Sequence, residues 1–289
     1  MIYGTYTALI TPFKNNKVDY VKLEELIEFQ IKNKIDGIVV CGTTGESATL
    51  SDKEKRKIIK FAVEVVNGRV PVIAGTGSND TRHAIELSKY AERVGADSLL
   101  IVTPYYNKTS QKGLVEHFKA IANSVTIPII MYNVPSRTGL NMLPDTVAKL
   151  ASIENIVGLK EASNNFSQIL EIISKVPKNF SVLSGNDDSI VPLLSIGGTG
   201  VISVLSNIFP KETSDMCRAF FNNETKYAKD LQIKFANIIS LLFKETNPMP
   251  VKAAMNILGF NVGLPRLPLT SVMNDTYDLL KEELLKFKK

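Results

Sequence analysis

Hydrophobic positions along this chain fall into short, nearly continuous runs separated by longer stretches of helical period. The runs cover residues 6–10, 37–41, 70–74, 98–102, 127–132, 156–160, 181–184 and 200–204, and they are rich in Val and Ile and bounded by Gly and Pro. Between them lie amphipathic stretches at about 19–33, 52–66, 81–94, 112–124, 144–151, 166–176, 189–196 and 211–221. Runs of this length and composition predict strands, and their unbroken hydrophobicity predicts parallel strands buried on both faces. Beyond about residue 226 the strand pattern stops, and the periodicity predicts helices over 227–243, 250–258 and 271–287.

Eight strand-then-helix units within about 220 residues predict a (β/α)8 TIM barrel. A doubly wound sheet is the alternative, but it does not usually need eight units. The expected division is a barrel over residues 1–225 and a C-terminal helical extension over 226–289.

Composition narrows the function classes without changing this fold. The mix of 44% hydrophobic and 22% charged residues is that of a globular enzyme, not a disordered chain. The net charge of +5 raises nucleic acid as a partner. However, the lysines are scattered along helices, as at Lys53, Lys55, Lys57 and Lys60, and no basic block is interleaved with aromatics. No apolar stretch reaches membrane-spanning length and no secretory leader pattern is visible, so the expectation is no membrane partner and a cytoplasmic location. Cys41 and Cys217 match no zinc spacing, and Cys41 is expected to pack as a small hydrophobe.

Barrel chemistry sits where strands end and helices have not begun. The second strand ends in Gly42-Thr43-Thr44-Gly45-Glu46-Ser47, whose glycines permit a tight turn and whose hydroxyls suit a carboxylate; an ordinary polar turn is the plainer reading. The fourth ends in Thr103-Pro104-Tyr105-Tyr106-Asn107, with two phenols suited either to catalysis or to an interface. The fifth ends in Tyr132, followed on a loop by Arg137, whose fork matches a carboxylate or a surface salt bridge. The sixth reads Ile156-Val157-Gly158-Leu159-Lys160-Glu161. Alternation along the strand puts Ile156 and Gly158 on the inner face if Lys160 is there, and Val157 and Leu159 on the outer face. Burial would lower the lysine pKa and free its lone pair for attack on a ketone; a lysine snorkelling to solvent is the competing reading. Because neighbouring strands lie about 4.8 Å apart, Tyr132 and Lys160 are expected side by side, a phenol placed to pass protons to an amine.

The remaining candidates are structural. Asp187 and Asp188 after the seventh strand read as a helix N-cap, not metal ligands. Gly197-Gly198-Thr199-Gly200 precedes a strand and reads as a tight turn, not a phosphate loop. His83 and His117 fall on helices away from the strand ends.

Taken together, Gly42-Thr43-Thr44-Gly45-Glu46, residues 132–139 and Gly158-Leu159-Lys160-Glu161 resemble the three linked motifs of the dihydrodipicolinate synthase family, and the likeness runs from Tyr3 to about Arg266. The resemblance implies that Lys160 forms an imine with pyruvate, whose enamine then attacks L-aspartate 4-semialdehyde. It implies a proton relay of Tyr132, Thr43 and Tyr106, with Tyr106 reaching into a neighbouring subunit's site. Thr44 would hold the pyruvate carboxylate, Arg137 would orient the semialdehyde carboxylate, and Gly185 and Ile202 would line the pocket. It implies a homotetramer built from dimers and neither metal nor organic cofactor. Lysine-sensitive members of this family carry histidines at the positions of Asp52 and Lys55 and a glutamate at that of His83. The departures here imply weak feedback by lysine or none. N-acetylneuraminate lyase and other pyruvate aldolases are the nearest alternative, since they share the lysine and tyrosine but usually differ in the Thr-Thr pair and lack the arginine. A catalytically dead binding barrel and a phosphate-handling isomerase are less favoured by the intact lysine and the missing phosphate loop.

Overall fold

A computed structural model describes residues 1–287; Lys288 and Lys289, inside the expected extension, lie outside the described residues. Eight parallel strands close into a barrel: β1 (Gly4–Ala8), β2 (Gly37–Val40), β3 (Val72–Gly75), β4 (Ser98–Val102), β5 (Ile129–Asn133), β6 (Ile156–Glu161), β7 (Ser181–Ser184) and β8 (Gly200–Ser203). Each is followed by a helix: α1 (Tyr20–Lys32), α2 (Asp52–Val66), α3 (Thr81–Arg93), α4 (Gln111–Ala122), α5 (Pro144–Leu150), α6 (Phe166–Lys175), α7 (Ile190–Ser195) and α8 (Pro210–Phe221). A two-stranded hairpin, Phe13–Lys14 with Lys17–Val18, precedes α1.

The helix starts follow from local chemistry. Asp19, Asp80, Ser110 and Asn165 each accept a hydrogen bond from a free first-turn amide. Ser51 and Glu54 form a reciprocal capping box on α2. Two strands, β3 and β5, begin two residues later than their apolar runs. In both, the second residue of the run is a proline, Pro71 or Pro128, which has no amide to donate to a ladder.

Side chains divide into two layers. Tyr6, Ala8, Val39, Ile73, Leu100, Ile130, Tyr132, Leu183 and Ile202 fill the barrel interior. Between sheet and helices lies a larger apolar cluster that includes Ile38 and Val40 of β2 with Ile58, Ile59 and Ala62 of α2. Strand β6 departs from strict alternation. Ile129 pairs with Ile156, but Ile130 pairs with Gly158, so one residue of β6 is skipped. Ile156, expected on the inner face, therefore belongs to the outer cluster, while Lys160 stays inside.

After α8 come, among the described residues, four helices, α9 (Thr225–Lys234), α10 (Ala236–Leu242), α11 (Met249–Ile257) and α12 (Asn274–Leu285). The single helix expected over 227–243 is two, broken at Phe235. There the backbone leaves helical geometry and a fully buried ring stacks on Phe287 at 5.0 Å and tilts against Phe209 at 5.0 Å. Burying such a ring is worth about 1.5–3 kcal/mol, and the Phe235 amide still donates to the Leu231 carbonyl while its carbonyl accepts from the Ile239 amide, so the break costs neither of these bonds.

Closure between β1 and β8 leaves no room for a side chain at Gly200. Its φ is +156°, and a Cβ would lie 2.0 Å from the Gly4 carbonyl oxygen. Gly200→Ala is expected to destabilise the protein by roughly 2–4 kcal/mol, from overpacking plus backbone strain. Urea unfolding checks this, and a change below about 0.5 kcal/mol would mean that the seam yields.

Candidate active site

The site is assembled at the carboxyl ends of the strands. Lys160 on β6 is paired in register with Tyr132 on β5, and its Nζ lies 4.4 Å from the centre of the phenol ring. The expected side-by-side placement is therefore present, and the snorkelling reading fails because Lys160 is only 5% exposed. Burial depresses the amine to about 7 from the ordinary 10.5. The Asp187 carboxylate opposes that shift and the Arg137 guanidinium adds to it. At pH 7 an ordinary lysine is neutral in roughly one molecule in a few thousand; a group at about 7 is neutral in about half. The fold thus supplies a usable lone pair. Burial likewise raises the Tyr132 phenol above its ordinary value, with Arg137 and the Thr43 hydroxyl offsetting part of the rise. The phenol is therefore held protonated, as a proton donor must be.

Gly185 shapes the floor beside the lysine. Its amide donates to the Glu161 carbonyl at 2.7 Å, and a Cβ there would lie 2.6 Å from the Ala162 Cβ and 3.1 Å from Lys160 Cε. Ile202 is fully buried in the barrel interior. Thr44, nearly inaccessible, accepts at Oγ1 from Asn247 Nδ2 at 2.9 Å. Arg137 sits on a single helical turn, Pro135–Thr138, where a loop was expected, and donates to the Asn247 carbonyl at 3.2 Å. Asn247 therefore joins the two residues expected to hold carboxylates. Of the expected site residues only Tyr106 stands apart. It is 92% exposed, in a left-handed conformation with φ +66°.

Several functional neighbours were not foreseen. Asp187 was expected to cap a helix. Instead α7 starts at Ile190 with Ser189 before it, and Asp187 is buried, accepting at Oδ2 from the Val204 and Leu205 amides at 2.9 Å each. It caps the short 3-10 turn Leu205–Asn207 after β8 rather than its own helix, because the barrel brings the ends of β7 and β8 together. Its Oδ1 has no hydrogen-bond partner, and burial raises its pKa. Asn247 precedes a C-terminal helix whose place over the barrel mouth has no local sequence signal. Beside Tyr132 and Lys160, Asn133 and Glu161 form the next register pair on the opposite face, where Asn133 Nδ2 donates to Glu161 Oε2 at 2.9 Å. Among the described residues, no three His, Cys, Asp or Glu side chains gather as metal ligands would. No helix among them is long and apolar enough to cross a membrane.

These features define the class: a TIM barrel with a buried amine and a phenol in register at its mouth. The model of the dihydrodipicolinate synthetase family matches residues 1–287, and the chain belongs to that family. The 4-hydroxy-tetrahydrodipicolinate synthase of Acetivibrio thermocellus is 57% identical over 281 residues, covering 97% of this chain and 96% of its own. A crystal structure of the dihydrodipicolinate synthase from Aquifex aeolicus superposes with a TM-score of 0.98 at 47% identity, covering 99% of this chain and 98% of that one. The enzyme from Cyanidioschyzon merolae, solved with lysine bound, superposes with a TM-score of 0.96 at 41% identity, covering 98% and 97%.

The depressed lysine predicts a pH profile. Below about 7 the rate of adduct formation should rise tenfold per pH unit, and above it should level off, because only the neutral amine attacks. Borohydride trapping of the adduct at several pH values measures this; a rise continuing to about pH 10 would indicate a solvated amine. Gly185→Ala should crowd the lysine stem and slow trapping by roughly tenfold to a hundredfold while the protein remains folded.

Proposed function

We propose that this protein is a 4-hydroxy-tetrahydrodipicolinate synthase, a lyase condensing pyruvate with L-aspartate 4-semialdehyde on the diaminopimelate route to lysine. The observation that carries the reading is the buried, depressed amine of Lys160 in register with Tyr132. The neutral amine attacks the pyruvate ketone, and loss of water leaves an imine. A methyl proton departs to give an enamine, whose carbon attacks the semialdehyde aldehyde. The semialdehyde's own amine then attacks the imine carbon and displaces Lys160, closing the ring. Tyr132 passes protons in these steps, with Thr43 beside it. Thr44 holds the pyruvate carboxylate and Arg137 that of the semialdehyde; Asn247, bonded to both, supports this division. Gly185 and Ile202 line the pocket. No metal and no organic cofactor takes part in this scheme.

Tyr106 completes the relay from a second copy of the chain, which accounts for an exposed aromatic held in a left-handed backbone at the end of β4. The assembly proposed is a homotetramer of such dimers, in the cytoplasm. Feedback by lysine is weak in this reading. His83 Nε2 lies 3.0 Å from both Asp52 oxygens, so the carboxylate that would attract a cationic effector already has a partner. Lys55 adds a positive charge nearby in sequence.

Borohydride reduction with pyruvate should attach a three-carbon adduct to the peptide containing Lys160; an adduct on another lysine, or none, refutes the mechanism. Arg137→Ala should raise KM for the semialdehyde roughly tenfold to a hundredfold and leave that for pyruvate nearly unchanged, since a hydrogen bond to a charged group is worth about 1.5–3 kcal/mol. Equal damage to both would assign Arg137 to loop structure. Millimolar lysine should leave the condensation rate within about twofold; strong saturable inhibition would show that Asp52 is free to bind it.

A further inference from the structure

The loop after β2 carries Thr43 and Thr44 and then enters a left-handed residue, Glu46, with φ +56°. A non-glycine residue in that region needs its surroundings to hold it. Glu46 has no exposed side-chain surface, and its two oxygens bind two separate stretches of the C-terminal extension, one on α11 and one in the segment that follows it. Oε1 accepts from Lys252 Nζ on α11 at 2.5 Å, and Oε2 accepts from the Arg266 amide at 2.8 Å. Lys252 is itself 1% exposed; its ammonium lies 4.1 Å from the centre of the Phe13 ring and 3.4 Å from the Leu264 carbonyl. Arg266 then reaches back to Glu54 on α2 and to the Thr49 carbonyl. Five residues before Lys252 stands Asn247, which touches Thr44 and Arg137.

We infer that the buried Glu46–Lys252 pair positions substrate-binding residues: by pinning the start of α11 to the loop that carries Thr44, it holds Asn247 where it orients Thr44 and Arg137. Neither partner touches the reacting atoms, so both act through Asn247. Two buried charges are costly to desolvate, and a pair of apolar side chains would serve packing alone as well. An ion pair instead fixes a single register between loop and helix, because Glu46 has one geometry in which both oxygens are satisfied. Burial pulls the Lys252 ammonium down to about 8, and Glu46 holds it up against a larger fall.

The inference rests on the proposed roles of Thr44 and Arg137, so Arg137→Ala is the reference. Lys252→Met is expected to raise KM for the semialdehyde at least roughly fivefold, while Lys160 is still trapped by borohydride at saturating pyruvate at a rate within about twofold of wild type. Because a lone buried Glu46 charge is costly enough to threaten folding, Glu46→Gln with Lys252→Met, which removes both charges, is measured alongside. It should regain thermal stability but keep the raised KM. Asn247→Ala alone should give a similar KM, and adding it to the double variant should raise KM less than the two separate effects multiplied, since residues acting through one contact are not additive. Recovery of both stability and KM in the charge-free variant, or full multiplicativity with Asn247→Ala, overturns the inference and assigns the pair to packing. If Arg137→Ala leaves the semialdehyde KM unchanged, the reading of the site fails rather than the role of the pair.

Discussion

The chemistry proposed for this barrel depends on withdrawing one primary amine from water. Lys160 ends an inner-facing position of β6, where its stem passes Gly185 and its nitrogen lies over the Tyr132 ring. Protonated there, it would lose most of its hydration with little to replace it, so the neutral form gains ground near pH 7. Other features of the mouth follow from this. The floor must be glycine at 185, because a methyl group would meet Ala162 and the lysine stem. The neighbouring phenol must stay protonated, and the same desolvation that frees the amine raises the phenol.

Two charged groups tune that balance from opposite sides. Asp187, buried and bound by the amides that open the turn after β8, draws the amine upward; Arg137 on the rim pushes it downward. Asp187 is also destabilised by burial, yet two amides and the Ser203 hydroxyl favour its charged form. Asp187 thus faces the amine as an acidic group whose own ionisation burial opposes and these hydrogen bonds support.

The C-terminal helices belong to this arrangement as much as the barrel does. Asn247 bridges Thr44 and Arg137, and the segment that carries it is fastened to the β2 loop through Glu46, Lys252 and Arg266. Loops at a barrel mouth are free to vary, whereas the proposed site for two carboxylates requires fixed donors. Anchoring them to a packed helix provides that rigidity without closing the mouth.

The alternation of apolar runs with amphipathic stretches was enough to expect eight βα units, because both periods are set by local backbone geometry. The placement of Lys160, Tyr132, the Thr43-Thr44 pair and Arg137 was likewise legible, since each sits at a strand end or just beyond it, where barrel chemistry collects. Other features had no local signature. The skipped residue that turns Ile156 outward depends on how β6 meets β5, and the break at Phe235 on two rings far away in sequence. Asp187 has the residue type and position of an N-cap, and only the neighbouring end of β8 redirects it to other amides. Asn247, Glu46 and Lys252 look like ordinary loop and helix residues until the extension folds over the mouth. Sequence alone determined the eight barrel strands with the helices between them and which side chains could react, because those follow from period and residue type. Tertiary structure decided which of them are dry, which charges face one another and which distant segment holds the loop, because desolvation and Coulomb interaction depend on proximity in space.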